Sequence, residues 1–206
     1  MTRVKICGIT RPEDGREAAR LGADAIGLVF YPPSPRNVSP EAARAVVAAL
    51  PPFVTVVGLF VDPEPAWVEA VLAACPLDVL QFHGEEPARF CRAFGRPYLK
   101  AVRMRAGVDL AVLAQHYDDA RGLLVDAYVE GVAGGTGARF DWSLLPKELG
   151  LPLVLSGGLD AGNVAEAVRR VQPAAVDVSS GVEAAKGIKD AALMAAFISG
   201  AKHGAL

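Results

Sequence analysis

The chain predicts a single-domain α/β fold, the (β/α)8 or TIM barrel, and three observations carry that reading. Eight short Val/Ile/Leu-rich runs alternate with segments of helical period, and nothing breaks the alternation, which is the pattern of parallel strands joined by crossover helices. Spread over eight units, the 206 residues allow about 26 per unit, at the short end for such a barrel. No Gly-x-Gly-x-x-Gly motif follows the first run, which disfavours the alternative of an open doubly wound sheet. No linker, low-complexity tract or close repeat divides the chain, so residues 1–206 read as one domain.

Strands are expected at Arg3–Cys7, Ala25–Phe30, Val54–Phe60, Val79–His83, Tyr98–Val102, Leu123–Asp126, Leu153–Ser156 and Ala175–Ser179. In the first, Val4 and Ile6 face one side and Lys5 and Cys7 the other. Gly8 lets the chain turn, and Thr10, ahead of Arg11-Pro12, is expected to cap the helix that follows. Helical period is testable at Val164, Val168 and Val171, an i, i+4, i+7 stripe with Glu166, Arg169 and Arg170 on other faces. Lys5 shares the parity of Cys7 and points into the barrel, where an unpaired ammonium is costly. Strand eight closes on strand one, so Asp177 is its expected partner.

A 52% hydrophobic content supports an ordered core. No apolar run approaches the ~18 residues of a membrane span and the amino terminus has no signal-peptide core, so a soluble cytoplasmic protein without a membrane partner is expected. Cys7, Cys75 and Cys91 have neither metal-ligand spacing nor the even count of a disulfide framework, and read as free thiols. A formal net charge of -2 argues against a nucleic-acid surface and for a small-molecule partner.

A barrel keeps its chemistry at the carboxyl ends of its strands, and the polar candidates fall there. Strand one ends in Cys7, strand two is followed by Arg36, strand four ends in His83, strand six in Asp126, strand seven in Ser156-Gly157-Gly158, and strand eight in Asp177 to Gly181. The last two loops, with Gly157, Gly158, Ser180 and Gly181, are placed to hold a phosphate with backbone N–H groups; two ordinary glycine turns are the alternative. Gly134-Gly135-Thr136-Gly137 is a further candidate ligand loop. Four prolines stiffen the segment around Arg36, which suits a carboxylate clamp or a solvated arginine. His83 is open to acid, base or hydrogen-bond donor roles or to a structural one, and is taken as pocket lining. Asp126 closes an apolar run and can act as a general acid or as an N-cap or loop carboxylate, while Cys7 taken alone reads first as a small buried hydrophobe.

Lys5-Ile6-Cys7-Gly8-Ile9-Thr10, Phe30-Tyr31-Pro32-Pro33-Ser34-Pro35-Arg36, Gln81-Phe82-His83-Gly84, Leu124-Val125-Asp126, Leu155-Ser156-Gly157-Gly158-Leu159 and Asp177-Val178-Ser179-Ser180-Gly181-Val182-Glu183 follow one another in the order of a known pattern. Together they resemble the phosphoribosylanthranilate isomerase family of tryptophan biosynthesis. The resemblance implies an Amadori rearrangement of a phosphosugar carrying an anthranilate carboxylate, without cofactor or metal. It further implies Asp126 as general acid, Cys7 as base, Arg36 on the carboxylate and the two glycine loops on the phosphate; His83 and Asp177, at their strand ends, are expected to line the substrate site. A thiol near its ordinary pKa of about 8.5 is a poor base at neutral pH, so a site favouring the thiolate is expected. A homodimer is compatible with the chain. The rivals are a histidine-pathway sugar isomerase, whose members carry a carboxylate on strand one, and a noncatalytic phosphosugar-binding barrel.

Overall fold

The computed structural model describes residues 1–105, 107–127, 141–146 and 148–204. Gly134 to Gly137, the further candidate ligand loop, lie outside the described residues. Eight parallel strands close in sequence order: β1 (Arg3–Cys7), β2 (Ala25–Val29), β3 (Thr55–Phe60), β4 (Val79–Phe82), β5 (Tyr98–Met104), β6 (Gly122–Ala127), β7 (Leu153–Leu155) and β8 (Ala175–Val178). The ring shuts between β8 and β1, with Lys5 opposite Asp177. A two-stranded hairpin of β9 (Glu183–Ala185) and β10 (Ile188–Lys189) follows β8.

Seven α-helices are described: α1 (Pro12–Arg20), α2 (Pro40–Ala48), α3 (Pro65–Ala74), α4 (Ala88–Cys91), α5 (Leu110–His116), α6 (Val164–Val171) and α7 (Ala191–His203). Proline opens each of the first three, where its missing N–H costs nothing. Ser39, Asp109 and Asp190 cap α2, α5 and α7 with side-chain oxygens. Thr10 does not cap α1, contrary to expectation: the helix starts at Pro12 after Arg11, and the Thr10 hydroxyl instead donates to the Gly187 carbonyl at 2.5 Å. That bond ties the turn after β1 to the β9–β10 hairpin. In α6 the expected stripe holds, with Val164 and Val168 buried and Val171 half-buried. Between β6 and β7 the described residues supply only a 3-10 turn, Trp142–Leu144.

Strand alternation divides the apolar residues into two layers. Val4, Ile6, Ile26, Leu28, Phe60, Leu80 and Phe82 face the helices, and Phe30 stacks on Phe60 at 5.3 Å. Inside the barrel Ala101, Leu124 and Val154 fill the middle, and Cys7, Val29 and Leu59 pack together at the carboxyl ends. The interior is therefore solid below and carries its polar groups at one mouth.

Candidate active site

Cys7 ends β1 and Asp126 lies one residue before the end of β6, each 5% exposed. Their inward parity follows from the strand alternation that also turns Lys5 and Leu124 inward. Gly27 on β2 leaves space for the thiol, because a Cβ there would lie 2.7 Å from Cys7 Sγ.

Beneath Cys7, Lys5 Nζ donates to Asp177 Oδ1 at 2.8 Å, the expected pairing. Ser156 Oγ donates to Asp177 Oδ2 at 3.1 Å, so both carboxylate oxygens already have protein partners. Burial works against the charge on Lys5, but Asp177 and Cys7 together hold the ammonium above its ordinary range. Burial likewise pushes the Cys7 thiol up; Lys5 and Lys189 offset this in part and Asp177 adds to it. Burial beside Val29 and Leu59 thus opposes the thiolate that the two lysines favour.

On the other side of the mouth, Asp126 Oδ1 accepts from the Ala127 backbone N–H at 2.8 Å. His83 Nε2 stands 3.2 Å from Asp126 Oδ2, near but not aligned for a hydrogen bond. Gln81 Nε2 donates to His83 Nδ1 at 3.0 Å, an arrangement that puts the imidazole proton on Nε2, facing Asp126. Arg103, in register with Asp126 across β5 and β6, donates from Nη2 to the His83 carbonyl at 3.0 Å.

The loops after β7 and β8 come together as expected. Gly157 has φ +85°, and a Cβ there would meet Ala127 N at 2.5 Å and Asp126 Oδ1 at 2.8 Å. Gly181 lies so close to the Leu159 carbonyl that no side chain fits between the loops. Asn163 braces the first loop, donating to the Gly158 carbonyl at 2.8 Å. Ser180 opens a 3-10 turn and is half-buried, whereas the buried hydroxyl without a protein partner is that of Ser179.

Arg36 is buried, and its fork grips Glu183 through Nε at 2.7 Å and Nη2 at 2.8 Å. Lys189, with no side-chain exposure, donates to the same carboxylate at 2.9 Å and to the Ser179 carbonyl at 3.1 Å. A cavity of about 370 Å³ adjoins β5 and α5, lined in part by Gly84, Lys100, Arg103 and Tyr117.

The family model described as N-(5'phosphoribosyl)anthranilate (PRA) isomerase matches residues 4–200. The chain belongs to the phosphoribosylanthranilate isomerase family. An N-(5'-phosphoribosyl)anthranilate isomerase of Pseudomonas paraeruginosa is 62% identical over 196 residues, covering 95% of this chain and 93% of the relative. A crystal structure of phosphoribosyl anthranilate isomerase in complex with reduced 1-(o-carboxyphenylamino)-1-deoxyribulose 5-phosphate is 44% identical with a TM-score of 0.86, covering 98% of this chain and 99% of the other. The mutually generated monomers of dimeric phosphoribosylanthranilate isomerase from Thermotoga maritima give 41% identity and a TM-score of 0.86, over 98% and 100% of the two chains.

In this family member the structure gathers Cys7, His83, Asp126, Asp177 and the two glycine loops at one mouth, with Arg36 beside Cys7. Sequence reading placed Gln81, Ser179 and Glu183 in motifs without a role of their own, and passed over Arg103 and Lys189. Gln81 carried a signal, being two residues before His83 and so on the same strand face. Lys189 carried none, because it reaches the mouth from a hairpin beyond the last barrel strand.

Proposed function

We infer that this chain is an isomerase that converts N-(5-phosphoribosyl)anthranilate to 1-(2-carboxyphenylamino)-1-deoxyribulose 5-phosphate in tryptophan biosynthesis. The observation that carries this reading is a buried thiol and a buried carboxyl on non-neighbouring strands of one mouth, beside two interlocked glycine loops. Asp126 donates the proton on Oδ2 to the ring oxygen as the C1–O bond breaks, which leaves a protonated Schiff base. The Cys7 thiolate then takes the C2 proton, the C–H electron pair moves toward C1, and the resulting enolamine tautomerises to the ketone. Backbone N–H groups of Gly157, Gly158, Ser180 and Gly181, with the Ser179 hydroxyl, hold the phosphate.

Arg36 meets the anthranilate carboxylate with the guanidinium edge that Glu183 leaves open. His83 orients Asp126. Asp177 supports the mouth from below through Lys5 and Ser156, beside its expected place lining the substrate site. Fluorescence-monitored turnover of freshly generated phosphoribosylanthranilate tests the reading, and tight phosphosugar binding with no turnover would replace it with the noncatalytic barrel.

We propose that two copies pair through the amino-terminal end of the barrel. Phe53, just before β3, is fully exposed and holds φ +70°, an expensive conformation for an aromatic residue presented to water. Among the described residues no helix is long and apolar enough to cross a membrane, which accords with the cytoplasmic site we propose.

A further inference from the structure

Lys189 is a fully buried ammonium to which the rearrangement assigns no step. It is fixed to Glu183 and to the Ser179 carbonyl, and its backbone N–H donates to Asp14 Oδ2 at 3.1 Å. Gly8, the neighbour of Cys7, packs against the same cluster: a Cβ on it would lie 2.5 Å from Arg36 Cδ and 3.0 Å from Ser179 Oγ. Around the thiol stand three cations, Lys5, Arg36 and Lys189, and two carboxylates, Asp177 and Glu183, joined in two buried networks. The set carries one excess positive charge. A thiolate at Cys7 brings it to neutrality.

We propose that Lys189 is a positioning residue for proton abstraction at Cys7, supplying the positive charge that balances the thiolate inside the barrel. This rests on the reading of Cys7 as the base. The remaining charged groups are placed elsewhere. Asp14 is neutralised by Arg11 at 2.6 Å, and His83, Asp126 and Arg103 belong to the opposite side of the mouth, on or just after β4, β6 and β5. Lys189 thus shares its one carboxylate, Glu183, with the two-point fork of Arg36, and that pair of cations carries one charge more than the carboxylate between them. Lys189 also holds the Ser179 carbonyl, so the same ammonium faces the loop proposed to receive the phosphate dianion. Consistent with this, Lys189 is among the groups that offset the effect of burial on the thiol.

Two substitutions of opposite sign separate the charge from the packing. In ligand-free protein, the ultraviolet absorbance of the Cys7 thiolate, taken as the difference from Cys7→Ser, gives its ionisation midpoint. Lys189→Met is expected to raise the midpoint by about one pH unit or more, a tenfold loss of thiolate, and Lys189→Arg to restore most of it. Glu183→Gln, which leaves the excess charge larger, is expected to lower the midpoint. In turnover, the rising limb of kcat/KM against pH should move with the midpoint, so that Lys189→Met recovers activity at alkaline pH. A midpoint unmoved by Lys189→Met, or moved the same way by both Lys189→Met and Glu183→Gln, overturns the proposal. Should Lys189→Met not fold, Glu183→Gln decides alone: a midpoint that fails to fall overturns it. Absence of turnover in the wild type would instead refute Cys7 as the base of this isomerisation, a failure the ligand-free titration tells apart.

Discussion

Cys7 and Asp126 are chemically ordinary side chains made useful by where their strands end. Replacing Cys7 by Ser or Asp126 by Asn is expected to lower kcat by at least ~10², the usual contribution of a general acid or base, with folding retained. Steady-state turnover on protein of verified fold checks this, and near-wild-type kcat in either variant removes that residue from the mechanism. Gly157 works at the same scale through its backbone alone. Its positive φ and the absence of a Cβ let the loop after β7 rest on the Asp126 carboxylate. Gly157→Ala should lower kcat by about 10- to 100-fold by displacing that carboxylate, with KM changed less. An unchanged kcat would show that the acid does not depend on this contact.

At the scale of elements, the mouth is held open by two buried ionic braces. One joins β4 to β5: Lys100 Nζ bonds Glu86 at 2.8 Å and the Gly84 and Phe82 carbonyls, while Glu86 accepts from the backbone of Gly84 and Asp62. This brace sets the turn that carries His83. Lys100→Met strands a buried carboxylate and is expected to cost about 3–5 kcal/mol in denaturant unfolding, much of it recovered when Glu86→Gln is added. A single variant as stable as wild type would contradict the brace. The other joins the β9–β10 hairpin to Arg36 through Glu183. Burial pulls the Glu183 carboxyl upward, but hydrogen bonds from Arg36 and Lys189 outweigh it and hold the group below its ordinary value of about 4.3. A depressed carboxylate contributes stability that is complete above the ordinary value and is lost as pH falls through the folded one. The melting-temperature gap between wild type and Glu183→Gln should therefore be level near neutrality and shrink on acidification below about pH 4. A gap independent of pH would mean that the carboxylate's charge contributes nothing.

Taken whole, the molecule divides its labour between two ends of one barrel. The carboxyl ends gather Cys7, Asp126 and the glycine loops, and the amino ends expose Phe53, where we propose that a second copy pairs. Sedimentation of the wild type should report a dimer of 21.5 kDa chains, and Phe53→Glu a folded monomer that keeps its turnover. A wild type that sediments as a monomer at all concentrations would exclude this interface.

Local rules were enough to read eight strands from this sequence, because side-chain alternation is a property of each strand by itself, and the observed ends agree to within a residue or two. The same parity turned Cys7, Lys5 and Asp126 inward, and ring closure then required Asp177 beside Lys5. Where contacts tie loops and the terminal hairpin together, the chain was silent. Thr10 reads as a cap but reaches Gly187, 177 positions away, and Arg36 reads as a free clamp but meets Glu183 at a separation of 147. Lys189 has no local pattern at all, since a lone charge on a short hairpin is usually solvated. What tertiary structure decided is the balance of charge around Cys7: its acidity depends on burial and on cations drawn from distant segments, and those distances exist only once the barrel has closed.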